Sequence, residues 1–154
     1  MSLGKTACGL IVHETYNSHN DVPLFYVKEA IKLISNPESF VQIEVQFESD
    51  IGLALVTETE DSDTIVFARR PRTQGYSRFV KGKRCSLSRT VTITLEKVSL
   101  REAVLLSSWI GGSYPPEPWG RNKTLQSLSY WASHAFIWGQ IQIIPGTETE
   151  KCPW

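Results

Sequence analysis

The residues best suited to chemistry are basic side chains concentrated between Arg69 and Arg89. This stretch contains eight of the sixteen Lys and Arg residues and no Asp or Glu, which leaves eight basic against sixteen acidic residues in the rest of the chain. The balanced total therefore hides a polarised distribution of charge. A basic patch of this kind attracts phosphates, nucleic acid or an acidic protein surface. Its members are Arg69, Arg70, Arg72, Arg78, Lys81, Lys83, Arg84 and Arg89.

Five of these cations are the candidate phosphate or nucleic-acid contacts, because arginine's planar fork matches phosphate oxygens in pairs and lysine adds point charges. They are Arg70, Arg78, Lys81, Lys83 and Arg84. Aromatic rings that stack on bases would complete such a site, and the candidates for this wall are Tyr76, Tyr114 and Trp119. The alternative is that the cations only solvate a loop and pair with acidic strands.

Tyr114 and Trp119 bracket a segment in which three prolines stiffen the backbone into an extended form. We expect this segment to lie at the same end of a sheet as the basic stretch. In that case Arg78 to Arg84 would border a cleft beside Tyr114–Trp119. The alternative is an ordered loop in which Trp119 packs inward, as buried tryptophan commonly does.

His134 is the candidate catalytic residue, because histidine moves protons near neutral pH and can act as a general base. Its place between Trp131 and Trp138 on an expected helix also fits an interior histidine with satisfied hydrogen bonds. The sequence contains no zinc-ligand spacing, dinucleotide fingerprint or Ser/His/Asp order, so we expect neither a metal nor a cofactor.

The elements that must position these residues can be read from hydrophobic periodicity. Alternating apolar residues predict strands near 41–47, 51–57, 64–68 and 90–96, and apolar residues at helical spacing predict helices near 22–35 and 124–137. The chain length fits one domain over residues 1–154. We therefore expect a single α+β domain whose mainly antiparallel sheet is packed by two helices, with the basic stretch as a loop or hairpin tip between strands.

Three of these segments resemble the sheet half of the small ribonuclease folds shared by barnase-like, EndoU-like and RelE-like toxins. They are YSRFVK (76–81), TVTITL (90–95) and LLSSW (105–109). The resemblance implies a ribonuclease in which a basic or hydroxyl residue on the strands works with a histidine, here His134. The segments PPEPW (115–119), SHAFIW (133–138) and PGTETEKCPW (145–154) are also similar to a bacterial family of unknown function, which implies no chemistry.

Two functions remain open on these observations. The first is an RNA- or phosphate-binding protein, with or without nuclease activity, that uses the basic stretch. The second is a non-enzymatic interaction module that docks an acidic partner or associates with itself. Short apolar runs and no signal-peptide pattern predict a cytoplasmic protein without a membrane partner, and the three cysteines, an odd number, favour reduced thiols. The oligomeric state and the pairing of Cys8 with Cys152 stay open.

Overall fold

The structure is a computed structural model, and it describes residues 2–35 and 38–154. Two helices and eleven strands in these residues make an α+β protein. The helices are α1 (Leu24–Lys32) and α2 (Leu125–Ser133). In chain order, the strands are β1 (Ser2–Lys5), β2 (Ile11–Asn20), β3 (Phe40–Gln46), β4 (Gly52–Ala54), β5 (Val56–Glu58), β6 (Thr64–Arg69), β7 (Tyr76–Lys81), β8 (Ser86–Ser88), β9 (Thr90–Lys97), β10 (Glu102–Ile110) and β11 (His134–Ile137).

The contacts within the chain divide it into two compact units, each built from two segments of sequence. Unit 1 comprises Met1–Leu53 and Leu87–Ser113, and unit 2 comprises Ala54–Ser86 and Tyr114–Trp154. Every residue proposed above for phosphate binding, for the aromatic wall or for catalysis belongs to unit 2. That residues 1–154 form one domain stays a prediction.

Unit 1 is a five-stranded sheet in the order β1-β2-β10-β9-β3, with α1 packed against β1 and β9. The alternation of Thr and apolar residues in β9 is typical of a strand with one wet face, yet Val91 to Leu95 are all buried. The burial of Thr92 is compensated because its hydroxyl donates a hydrogen bond of 2.8 Å to the Gly111 carbonyl. β9 is therefore a central strand with both faces covered.

Unit 2 contains a four-stranded sheet in the order β5-β11-β7-β6. β6 and β7 form an antiparallel hairpin in which Thr64 lies opposite Lys81 and Arg69 lies opposite Tyr76. The outer edge of β6 is covered by the later chain, since Phe67 and Thr149 exchange backbone hydrogen bonds of 2.7 and 2.8 Å. An edge covered in this way offers no free strand for pairing with another chain.

Most of the predicted elements are confirmed. The strands near 41–47, 64–68 and 90–96 are β3, β6 and β9, and the helix near 22–35 is the shorter α1. The strand near 51–57 is interrupted at Leu55, whose carbonyl accepts a hydrogen bond from the Ile137 N–H, and so divides into β4 and β5. The sheets are mixed rather than purely antiparallel, because β10 is parallel to β2 and β11 is parallel to β7, while the pairs β1–β2, β9–β10, β3–β9, β5–β11 and β6–β7 are antiparallel.

The prediction of one helix over 124–137 is wrong in its second half. The helix begins as expected at Thr124, whose side chain forms a capping box with Ser127, but it ends at Ser133. His134 has extended backbone angles and starts β11, in which residues 135–137 are buried between β5 and β7. Strand pairing of β11 with β5 and β7 therefore decides the structure of these residues, although their apolar spacing also fits a helix.

Candidate nucleic-acid interface

The first half of the basic stretch belongs to a hairpin, and the hairpin places the basic side chains in two separate groups. β6 ends at Arg69, β7 begins at Tyr76, and the loop between them carries Arg70 and Arg72. Side chains of successive strand residues point to opposite faces, so Ser77 and Arg78 face opposite ways. We call Arg69–Gly75 with the segment Tyr114–Lys123 the tip cluster. We call Glu58–Asp63 with Arg78 and Lys83 the acidic-loop cluster.

Arg70 is anchored by three contacts in the tip cluster. Its Nε donates to the Ser77 hydroxyl at 3.0 Å, and its Nη2 donates to the carboxylate of Glu117. Its guanidinium carbon lies 4.6 Å from the centroid of the Phe136 ring. Ser77 is fully buried, and Glu117 and Arg70 are largely so. With its Nε bonded to Ser77 and its Nη2 bonded to Glu117, Arg70 fixes the hairpin loop and has fewer donors left for a phosphate.

Tyr114 and Trp119, the two ends of the proline segment, have different environments. The Tyr114 ring packs edge-on against Trp131 and Phe136, at centroid distances of 5.4 and 6.0 Å. The Trp131 indole N–H donates to the Pro115 carbonyl at 3.2 Å, which ties the start of the segment to α2. Tyr114 is therefore partly buried against the core of unit 2, and its place in an aromatic wall stays a prediction.

Trp119 lies directly on Gly75 in the hairpin loop. A Cβ added to Gly75 would stand 2.2 Å from both Cβ and Cγ of Trp119, so glycine is the one residue that permits this approach. The Trp119 side chain remains 37% exposed. The Gly75 contact and the Arg70–Glu117 pair together hold the proline segment along the hairpin loop, with part of the indole in water.

The hairpin loop has a strained residue at its turn. Arg72 has a φ of 66°, and among residues 2–35 and 38–154 it is the only residue other than glycine with a positive φ. The loop around it is closed by Thr73, whose hydroxyl donates to the Arg70 carbonyl at 2.9 Å and whose carbonyl accepts from Arg69 Nη2 at 2.9 Å. A non-glycine residue in this region costs about 1–3 kcal/mol and persists where the surroundings impose it. Arg72 is exposed.

The tip cluster keeps a net positive charge. Trp119 lies in a turn closed by a hydrogen bond from the Gly120 N–H to the Glu117 carbonyl at 3.0 Å, and a second turn follows, closed by a hydrogen bond from the Lys123 N–H to the Gly120 carbonyl at 3.3 Å. Its basic residues are Arg69, Arg70, Arg72, Arg121 and Lys123, and its one acidic residue is Glu117. Even when Glu148, beside β6, is counted, five cations stand against two carboxylates. Arg72, Arg121 and Lys123 are exposed.

The guanidinium of Arg78, in the acidic-loop cluster, forms hydrogen bonds within the protein. Its Nη1 donates to the Thr59 hydroxyl at 2.9 Å and to the His134 carbonyl at 3.0 Å. Burial lowers the pKa of Arg78, while the nearby Cys152 and Asp63 act in the opposite direction. Arg78 thus joins the loop after β5 to the start of β11, which is a structural role.

Lys83 is likewise paired. Its Nζ lies 3.0 Å from Asp63 Oδ2 and donates to the Glu58 carbonyl at 3.0 Å. The hydrogen bond that Asp63 accepts from the Glu60 N–H is the largest cause that lowers its pKa, and the bond from Lys83 is the next largest. The segment 58–63 contains four acidic residues, equal in number to the four cations of the segment 78–84. A phosphate therefore meets no net positive charge at this cluster.

The remaining two predicted cations, Lys81 and Arg84, are exposed. Lys81 Nζ lies 4.8 Å from the centroid of the Trp138 ring, a cation–π contact. Among the described residues, no hydrogen bond or ion pair is observed for the Arg84 side chain.

His134 is half-buried at the start of β11. Its Nδ1 lies 2.9 Å from the Tyr130 carbonyl and 3.1 Å from the Ser133 hydroxyl, and its ring stacks on Tyr130 at 3.8 Å. The carbonyl can only accept, so Nδ1 carries a proton in this arrangement. Burial raises the pKa of the neighbouring Tyr130. These contacts fix the His134 ring through Nδ1 and Tyr130, which fits a structural histidine, and catalysis by His134 stays a prediction.

The residues selected from the sequence do not form one site. Arg70 and Trp119 lie in the tip cluster, and Tyr76 begins β7 directly after it, whereas Arg78 and Lys83 lie in the acidic-loop cluster. The proline segment contacts Arg70 and Gly75, the beginning of the basic stretch, instead of bordering Arg78 to Arg84. Sequence reasoning missed Arg121 and Lys123, although their position directly after Trp119 was a usable signal.

Comparisons of the chain with models of protein families, with curated proteins and with solved structures give no match. The resemblances described above therefore stay predictions. Among the described residues, neither helix has the length and apolar character that crossing a bilayer requires. The function must be argued from the two clusters themselves.

Proposed function

We propose that unit 2 is an RNA-binding module and that the tip cluster is its contact surface. The observation that carries the proposal is the excess of five cations over one carboxylate in this cluster. Glu117 is occupied by Arg70, so Arg72, Arg121 and Lys123 face solvent without a carboxylate in the cluster to neutralise them. Exposed, unneutralised cations supply most of the affinity for a phosphate backbone.

Backbone strain at Arg72 supports the same surface. A glycine or asparagine would adopt its φ of 66° at lower cost, and the strain places a long cationic side chain at the turn of the hairpin. Strained backbone is often found at functional sites, where the surrounding structure imposes it. The anchored side chains of Arg69 and Arg70 hold the loop in this conformation.

The proposal does not include RNA cleavage. A general base for the ribose hydroxyl needs a partner that binds the phosphate in the same site. The arginine that contacts His134 is Arg78, whose Nη1 is occupied by Thr59 and by the His134 carbonyl. RNA binding without chemistry is therefore the function that the geometry supports best.

The test is the affinity of the chain for a short fluorescent RNA, measured by anisotropy at several salt concentrations. Each phosphate contact contributes roughly −0.7 to the slope of log K against log salt for a single strand. With three exposed cations in contact we expect a slope of about −2, and about −0.7 for the double variant Arg72→Gln/Arg121→Gln. Poly-glutamate serves as the acidic protein probe and should bind more weakly than RNA.

Two arginine variants serve as controls. Arg84→Gln removes the same charge from the other end of the basic stretch, and Arg101→Gln removes it from an exposed position of unit 1. Both should keep the native slope. An equal loss of affinity with Arg84→Gln, or tighter binding of poly-glutamate than of RNA, would contradict the proposal; the second result would favour an interaction module.

A further inference from the structure

Trp119 is held rigidly and yet incompletely buried. One side of it meets the Gly75 backbone, 37% of the side chain is exposed, and its indole N–H makes no hydrogen bond with the described residues. The segment that carries it is stiffened by three prolines, of which Pro118 is buried. An aromatic side chain fixed in this way loses little further conformational entropy when a ligand packs on it.

Two exposed arginines of the tip cluster lie close to this indole along the chain. Arg121 is two residues from Trp119, and Arg72 is three residues from Gly75, on which Trp119 lies. At about 3.8 Å per residue, their Cα atoms are within roughly 8 and 11 Å of those two residues. An exposed aromatic side chain with arginines within this reach fits the way proteins bind single strands, in which rings stack on bases and cations contact the phosphates.

We infer that Trp119 is a stacking platform for an unpaired base, so that the ligand of the tip cluster is single-stranded RNA. This inference rests on the proposed function and specifies its substrate class. In a duplex both faces of an internal base are covered by its neighbours, and only an unstacked base can offer a face to the indole. Charge alone would not distinguish single strands from duplexes or other polyanions. Stacking on the indole does distinguish them, because it requires an unpaired base.

The test compares three probes at one low salt concentration: a single-stranded oligoadenylate, an RNA duplex, and inorganic polyphosphate. Stacking on an aromatic side chain is strong enough that Trp119→Leu should weaken oligoadenylate binding about tenfold or more. Trp119→Phe keeps a ring and should retain most of the affinity. Both variants should bind polyphosphate like the native chain. Phe25→Leu removes an exposed ring from unit 1 and should change nothing.

A second measurement uses the native chain, so it does not require the Trp119→Leu variant to fold. The native chain contains five tryptophans and can be labelled with 5-fluorotryptophan, with the Trp119 resonance assigned from the Trp119→Phe variant. Oligoadenylate should shift the Trp119 fluorine resonance and leave that of Trp109 in unit 1 unchanged. Polyphosphate should leave the Trp119 resonance close to its position in the free protein.

The outcomes separate the inference from the proposed function. If Trp119→Leu binds oligoadenylate like the native chain while Arg72→Gln/Arg121→Gln loses affinity, the tip cluster binds polyanions by charge and the stacking inference is wrong. Equal affinity for duplex and single strand would overturn the stacking inference in the same way. If the arginine variants also bind like the native chain, both proposals fail.

Discussion

The Arg70–Glu117 pair provides the sharpest stability prediction, because it joins the hairpin loop to the proline segment. The Arg70 and Glu117 side chains are 24% and 8% exposed. Breaking a buried ion pair by removing one partner costs about 3–5 kcal/mol. Since Arg70 is partly exposed and keeps its bond to Ser77, we expect Glu117→Ala to lower the free energy of unfolding by about 2–3 kcal/mol.

The matched control is the exposed Lys32–Glu29 pair of α1, whose side chains are 63% and 40% exposed. Glu29→Ala should cost less than about 0.5 kcal/mol. Urea unfolding is followed by tryptophan emission, which reports mainly on unit 2 with its four tryptophans, and by far-ultraviolet circular dichroism, which reports on both units and so also measures the control. In the background of Arg70→Met, Glu117→Ala should cost less than in the native background. A cost for Glu117→Ala no larger than that for Glu29→Ala would refute the reasoning.

Three further predictions follow from the same contacts. Gly75→Ala should lower stability by about 1–3 kcal/mol in the same urea assay, because the new methyl group displaces Trp119. Asp63→Asn should destabilise the chain near neutral pH, because the folded state lowers the pKa of Asp63 and so favours its charged form. This stabilisation is fully present at pH values above the unfolded-state pKa of 3.8, and it is lost as the pH falls through the folded-state pKa. The native and variant stabilities should therefore converge in acid, and parallel curves down to the lowest pH would contradict this. Iodoacetamide, followed by mass spectrometry, should modify the exposed Cys8 and Cys152 before Cys85, because burial raises the pKa of the Cys85 thiol.

The strands could be predicted because their signal is local. β3 alternates apolar and polar residues over its whole length, and this period of two needs no knowledge of the rest of the fold. β11 could not be predicted in this way, since Ala135, Phe136 and Ile137 are consecutive apolar residues that fit a helix or a doubly buried strand equally well. Pairing with β5 and β7, which are distant in sequence, decides between the two.

The site was only partly predictable, because the pairing of charges is a property of the folded chain. Arg70 meets Glu117 across 47 residues, and no sequence window places the two together. Lys83 is likewise neutralised by Asp63, which lies before β6. The sequence predicted Trp119 beside Arg78 to Arg84, whereas the fold places it on Gly75 near the start of the basic stretch. Only the fold separates anchored from exposed cations.

The most direct test of the central claim is a map of the RNA contacts on the native chain. Backbone amide and arginine Nε–H resonances are followed in proton–nitrogen correlation spectra as single-stranded oligoadenylate is added at low salt. We expect the shifts to be concentrated in residues 69–76 and 117–123, with Arg72 and Arg121 among the largest. Shifts concentrated in residues 58–63 and 78–84, or around His134, would contradict the claim that the tip cluster is the RNA-binding surface.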